Sequence, residues 1–596
     1  MLLNYPCPAM IKIRIPRTLL LSLFSLLALN GFSNNIQVSN VALLGRNTSA
    51  GTNNAANFTQ VQFNLSWENS WRVSVGPSNW DAAWVFVKFQ VGASNPVLNS
   101  VNSSGTTITV GTTANLRVGM PVRVTSGTGA FASNTVISSI TSATQFVVSA
   151  TPTNVLINAS IECTRIWEHA TISTTAANHN APTGSTIAPA SDGTGAFIYR
   201  SAEGTGTFSL NAVQLRWNYG TNGVRDDALI NVQVFGIEMV YVPQGDFNVG
   251  GGGGSSAFTS TTINTATATT APTGTGSLGG AAGGYPTGQT PPASASWSNG
   301  YNAFYCMKYE VSQGQYRDFL NTLSYMQQVL RTASSPASAV GTGALSSTNA
   351  NRNGIDISTP GNAASNAAAI YGCNLNGNAS FNEANDGEWI ACNYLTWMDG
   401  AAFADWAALR PITEMEFEKA CRGTQAAVSG EYAWGTVIST AANNISNSGA
   451  INEWTNTTNA NAAFGSQTNV QGPLRVGIFA TTSSSRLQSG ATYYGIMEMS
   501  GNLQERTISL GNVEGRAFTG LHGDGTLSTN GHANTGNWPG LANGEVTAFV
   551  GTGLRGGDFL NSILNLIVSD RSNATQTSNE ESRTATYGFR AVRTAQ

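Results

Sequence analysis

The sequence predicts an α+β protein in two parts: an all-β sandwich that carries an inserted small β module, then a loop-rich α+β domain. Three observations predict it. Charged residues make up only 10% of the 596, and 65 are glycine, against about 25% charged in ordinary soluble domains. Short β-branched and aromatic runs between turn residues fill the first 236 positions. Three capped helical patterns follow, all beyond residue 310.

The chain opens with Lys12, Arg14 and Arg17 ahead of the apolar run Leu19 to Leu29, and Gly31-Phe32-Ser33 supplies small residues for cleavage. Residues 1–33 are expected to be a secretory signal peptide. The run is shorter than the ~20 residues that span a bilayer, and no cysteine directly follows it to take a lipid. The expected location is therefore secreted or cell-surface, with no membrane span. A net charge of −4 with no basic run disfavours nucleic acid, whose phosphates need clustered Lys and Arg. Cys7 leaves with the leader, and Cys163, Cys306, Cys373, Cys392 and Cys421 remain. In an exported chain two bridges among the last four are expected, with buried free thiols as the alternative; sequence does not fix connectivity.

Residues 34–236 read as the sandwich. Val61, Phe63 and Leu65 alternate with polar residues, Trp84 to Phe89 is a stronger strand, and 196–200, 213–217 and 230–234 continue the pattern. Trp67, Trp71, Trp80, Trp84 and Trp217 are its expected core; a sugar-binding platform is the sharper reading of them. Residues 92–163 turn Thr/Ser/Val-rich and read as an inserted β module. The second domain, 237–596, carries two Gly/Ser/Thr/Ala-rich stretches, 250–284 and 333–367, expected to be flexible insertions. Between and after them lie the helices. Ser312 caps the first, with Tyr316, Phe319, Leu320 and Leu323 on one face; Thr396/Asp399 and Thr413/Glu416 have capping-box spacing for the others. From Gly553 to Arg593 a polar stretch runs between two glycine-marked strands.

Seven blocks of 238–596 resemble, in order, the formylglycine-generating-enzyme (sulfatase-modifying factor) family, a relative of C-type lectin-like domains. They are Met239 to Phe247, Tyr309 to Tyr316, Arg410 to Gly423, Tyr432 to Gly435, Gly495 to Asn502, Arg555-Gly556-Gly557 and Gly588-Phe589-Arg590. The resemblance implies a copper(I) ion held by two thiolates just after the Arg-Gly-Gly block, because Cu(I) prefers soft sulfur. Those positions are Asn561 and Leu566, or Ser569 to Arg571 if the alignment slips, and no cysteine follows Cys421. No copper is expected. The resemblance also implies structural Ca²⁺: one site at Glu505 with carbonyls near Gly501, Asn502 and Leu503, a second at Asn444 and the Ile445 carbonyl. His522 and His532 share one loop and are read as neighbouring surface residues, with a metal pair as the alternative.

The expected function is an exported, non-catalytic binding or structural module. Its ligand, an unknown protein or glycan, would meet a face carrying Trp538, Arg555, Asn561, Asp570 and Arg571. The alternatives are an enzyme of the same superfamily with different chemistry, or a subunit of a surface appendage or motility complex.

Overall fold

The structure, a computed structural model, describes residues 35–266, 275–278, 281–282, 292, 294–465, 469–575 and 582–596. The leader expected at 1–33 lies outside them. In the N-terminal part the long strands are β1 (Gln37–Asn47), β2 (Phe58–Arg72), β3 (Asp81–Val91), β4 (Ser185–Pro189), β5 (Ala196–Arg200), β6 (Gly204–Trp217) and β7 (Ile230–Val242). Strands β8 (Phe304–Met307), β9 (Arg410–Thr413), β10 (Gln504–Ile508), β11 (Thr552–Arg555) and β12 (Ala591–Thr594) follow. The helices used below are α1 (Gln313–Leu320), α2 (Tyr325–Arg331), α3 (Trp397–Trp406) and α4 (Glu414–Arg422).

One eleven-stranded mixed sheet runs through both halves, in the order β4-β5-β3-β7-β8-β12-β9-β10-β11 with two short strands off that path. Strand β7 is the joint. It pairs with β3 from Ile230↔Val91 to Val240↔Asp81, and its last four residues also pair with β8. The expected boundary at 236/237 therefore falls inside a strand that the two parts share. The period of two explains the join. On β3, Ala83, Val85, Val87, Phe89 and Val91 point into one core, which a second sheet β1-β2-β6 covers with Phe63, Leu65 and Trp217. Ala82, Trp84 and Phe86 point the other way, into the core that α1 and α3 fill with Phe319, Phe403 and Trp406. A strand covered on both faces is apolar on both, which is why β3 is hydrophobic from Ala82 to Val87, and its buried Lys88 finds an acceptor in the Gly525 carbonyl.

Residues between β3 and Glu168 leave the sheet. Six strands from Val97 to Cys163 make two three-stranded sheets around Ile108, Met120, Phe146 and Ile161, and Glu168–His169 then returns to pair with β3. The helices start where their caps are. Ser312, Thr396 and Thr413 each close a reciprocal capping box, with Gln315, Asp399 and Glu416.

Two expectations are corrected. The stretch 333–367 is packed: Ala344, Leu345, Ile355 and Ile357 are buried in the main core, and Ile355–Thr359 pairs with Ile370–Cys373. A few aliphatics at i, i+2 anchor it despite its polar composition. The described part of 250–284 is docked too. Thr261–Ile263 pairs with Phe247–Val249, Gly250 N–H donates to Glu418 at 2.7 Å, and Phe258 is buried. Residues 267–274, 279–280 and 283–284 of that stretch lie outside the described residues. The five cysteines among the described residues are buried free thiols, so the expected bridges are not formed. They occupy apolar cores as small hydrophobes.

A buried charge cluster pins the joint. Lys308, just past β8, reaches Asp81 at 3.1 Å, Glu238 at 2.9 Å and the Asn69 carbonyl at 3.2 Å. Burial pulls the ammonium down, but Glu238, Tyr309 and Asp81 outweigh it and hold its pKa above the ordinary value. One cation thus serves two carboxylates. Burial pushes Glu238 up to about 7, Lys308 opposing and Asp81 adding. The folded value lies above the 4.5 of a free glutamate, so the folded state keeps the proton longer, and stability falls as pH rises from the free value through about 7.

Three outcomes follow. Glu238→Gln is expected to raise the urea midpoint at pH 8 and change it little near pH 5. Lys308→Met leaves two buried carboxylates without a cation and is expected to cost about 3–5 kcal/mol at pH 8. Thiol titration without reductant is expected to find Cys163, Cys306, Cys373, Cys392 and Cys421 unreactive in the native protein and all reactive in guanidinium.

Candidate functional site

The family's reacting position lies where β11 ends. Gly556 and Gly557 turn the chain with φ of 91° and 68°. At Gly557 a Cβ would also meet Leu566 Cδ1 at 2.8 Å, so only glycine fits this turn. Asp558 then caps the following loop, accepting from Leu560 N–H at 2.8 Å and Asn561 N–H at 3.1 Å. Asn561 is half-buried, and its carbonyl accepts from Gly465 N–H at 2.8 Å. Leu566 is buried in the core beside Phe417 and Met499. Ser569 is buried and accepts from Arg422 Nη2 at 2.9 Å. An amide, an aliphatic group and an ion-paired hydroxyl do not fit Cu(I), which wants thiolate. Two thiols in the same core, Cys306 and Cys421, are pushed up by burial and stay protonated.

The expected ligand face is corrected. Arg571 binds Glu414 in a fork, with Nε and Nη2 at 2.7 and 2.8 Å, and its guanidinium lies 3.4 Å over the Phe258 ring. Arg555 bridges Glu414 at 3.2 Å and Glu418 at 2.8 Å. Trp538 is buried and donates to the Leu521 carbonyl at 3.0 Å. Asp570 is nearly buried and accepts from Ser255 N–H at 2.8 Å. The carboxylates of α4 point inward, and these arginines are their counter-ions. The space left here is an indentation of about 10 Å³ lined by Gln504, Arg555, Asn561 and Asn573, room for about one water molecule.

The Glu505 calcium site is corrected as well. Both Glu505 oxygens accept from Arg590, at 2.7 to 3.0 Å. The loop before it wraps a different carboxylate: Leu503 N–H donates to Glu310 at 2.9 Å and the Asn502 amide group donates to its other oxygen. Gly501 N–H donates to the Gly556 carbonyl at 2.8 Å, and the Asn502 carbonyl accepts from Phe559 N–H at 3.0 Å. The loop thus turns N–H donors toward an anion. At the second site Asn444 Oδ1 accepts from Asn469 Nδ2 at 2.7 Å, and Ile445 pairs with Thr455. Among the described residues no three His, Cys, Asp or Glu side chains are grouped to hold a metal. His522 and His532 are not a surface pair: the first accepts from Thr594 N–H at 3.0 Å, the second meets Arg331 at 3.2 Å. Burial pushes the pKa of His522 well down and that of His532 to about 4.

Sequence reasoning missed the large cavity. It holds about 830 Å³ between the start of β1, the outer edge of β7, α1 and the end of α3. Phe86, Phe235, Phe403 and Trp406 form one wall and Ile36 and Val38 another, with Arg317, Asp318, Glu383 and Glu388 at the rim. Phe235 and Trp406 meet edge to face at 4.9 Å. The size is that of ordinary ligand pockets. Its walls come from seven separated segments, so no local pattern announces it.

Comparison with known proteins gives a family match and likenesses to solved structures. A family model described as sulfatase-modifying factor enzyme 1-like domain matches residues 236–595. Treponema denticola variable protein 1 is 13% identical, over 61% of this chain and 96% of that one, with a TM-score of 0.25. A superposition that loose carries no argument about this molecule. No curated protein matches. The ordered blocks and the matched span lead to one conclusion: the chain belongs to the sulfatase-modifying factor enzyme 1-like domain family.

Proposed function

We propose that the protein is an exported, non-catalytic member of this family that acts at the cell surface as a binding or structural module. One observation carries the reading. Where the family's two thiolates would stand, the chain has Asn561 and Leu566, or Ser569 to Arg571 on a shifted alignment. The residues around those positions are committed to structure: Arg555 and Arg571 neutralise Glu414, and Ser569 holds Arg422. A C-type lectin-like scaffold that has lost its redox pair keeps a rigid frame for recognition, and fold alone does not carry activity. Export is supported by the basic and apolar leader at residues 12–29. Structural Ca²⁺ stays with this reading at the Asn444 loop, whose side chain and carbonyls are oxygen donors suited to that ion.

The test is an oxidation assay on protein purified from its natural compartment. Incubated with a sulfatase-derived cysteine peptide, copper(I) and oxygen, it is expected to form no aldehyde detectable by mass spectrometry. Metal analysis of the same sample is expected to find calcium and no stoichiometric copper or iron. Aldehyde product overturns the reading.

A further inference from the structure

The outer edge of β7 is open where it lines the large cavity. Its partners are β3 along its length and β8 at Met239–Val242 only; no other strand among the described residues pairs with it. The phase of the ladder fixes which groups are turned outward. Gly92 N–H donates to the Leu229 carbonyl on the β3 side, and Lys308 N–H donates to the Glu238 carbonyl on the β8 side. Antiparallel pairing alternates these directions residue by residue. Val232, Val234 and Gly236 therefore present their N–H and C=O groups to the cavity side, below the point where the chain after β8 turns away. All three line the cavity and are only half-buried. Such an edge is a template for one more strand.

Two further features say what that strand carries. Trp406 lines the same cavity, is 5% exposed, and its indole Nε1 has no acceptor. A buried donor left unmade is costly, but this one is closed off from the cavity, so what Trp406 offers a strand is its ring. The rim holds three carboxylates against one cation. Arg317 is shared between Asp318 at 2.8 Å and Glu388 at 3.6 Å, and Glu383 stands as the third acidic group. The surplus is negative.

We propose that the cavity is a strand-addition site for an extended polypeptide segment of a partner protein, one that alternates apolar side chains with Lys or Arg. The segment lies antiparallel to β7 and continues the line of β8, with main-chain hydrogen bonds at Val232, Val234 and Gly236. Its apolar side chains meet Ile36 and Val38, and its basic side chains, on the other face, run their aliphatic stems past Phe235 and Trp406 to reach Asp318 and Glu388 at the rim. The site lies five strand positions from β11, roughly 24 Å along the sheet at the usual strand spacing, so it is separate from the family's reacting position. It names the partner class for the binding-module reading and rests on that reading.

The experiment uses the whole protein and synthetic peptides of about seven residues, a common strand length, that alternate valine with lysine or valine with glutamate. A third peptide is the lysine form with alternate main-chain nitrogens methylated. Binding is read by calorimetry, and its location by hydrogen exchange over residues 230–238. The lysine peptide is expected to bind and to slow exchange at Val232, Val234 and Gly236. The glutamate peptide and the variant Asp318→Lys with the lysine peptide are each expected to bind about tenfold more weakly, and the methylated peptide not at all. Absent lysine-peptide binding, binding without slowed exchange at those amides, or equal binding of the acidic peptide overturns the proposal. None of these touches the oxidation assay, so the non-catalytic reading stands or falls separately.

Discussion

The architecture depends on the burial of β3 and β7 from both sides. Trp84 and Phe86 face the helices of the family domain, while Val85, Val87 and Phe89 face the sheet β1-β2-β6. Each such side chain is worth about 1.5–3 kcal/mol when removed from water. Neither half can bury its own share alone, since the wall between the two cores is the same pair of strands. The Trp84 indole donates across this wall to the Ala407 carbonyl at 2.8 Å, and Lys88 donates to the Gly525 carbonyl at 2.6 Å. The N-terminal region is thus part of the family domain's core.

The chain carries few charges and places many of them inside. Arg410, Arg422, Arg555, Arg571 and Arg590 are all nearly inaccessible, each against a glutamate. A buried ion pair repays its desolvation only with good geometry and further hydrogen bonds, and these arginines have both. Arg590, for example, also donates to the Met307 and Met497 carbonyls at 2.8 and 2.7 Å. Removing one partner would strand the other, so the network fixes the loops that in a catalytic relative would flank the reacting thiolates.

Much of this was legible in the sequence wherever the signal is local. The three capping boxes start their helices at Ser312, Thr396 and Thr413, and Tyr316, Phe319 and Leu320 form the buried face. The run at Trp84 to Phe89, apolar but for Lys88, marked a strong strand, yet its two-faced burial was the clue that a second core lies behind it. The boundary expected near residue 237, where the family match also begins, lies inside β7, because composition changes there while the backbone of the strand does not. Arg555 and Arg571 were read as part of a ligand face because their partners, Glu414 and Glu418, are far away in sequence. The stretch 333–367 looked too polar to pack, but Ile355 and Ile357 suffice when paired with a neighbouring strand. The cavity left no trace, since an unpaired strand edge is defined by what is missing beside it.

The most direct measurement is the folding of a fragment beginning at Glu238. It lacks β3 and most of β7, hence one wall of the family domain's core. By near-ultraviolet circular dichroism and thermal melting, the account expects no fixed tertiary signal and no cooperative transition from this fragment, where the whole chain gives both. A fragment that melts cooperatively near the temperature of the whole protein would contradict it.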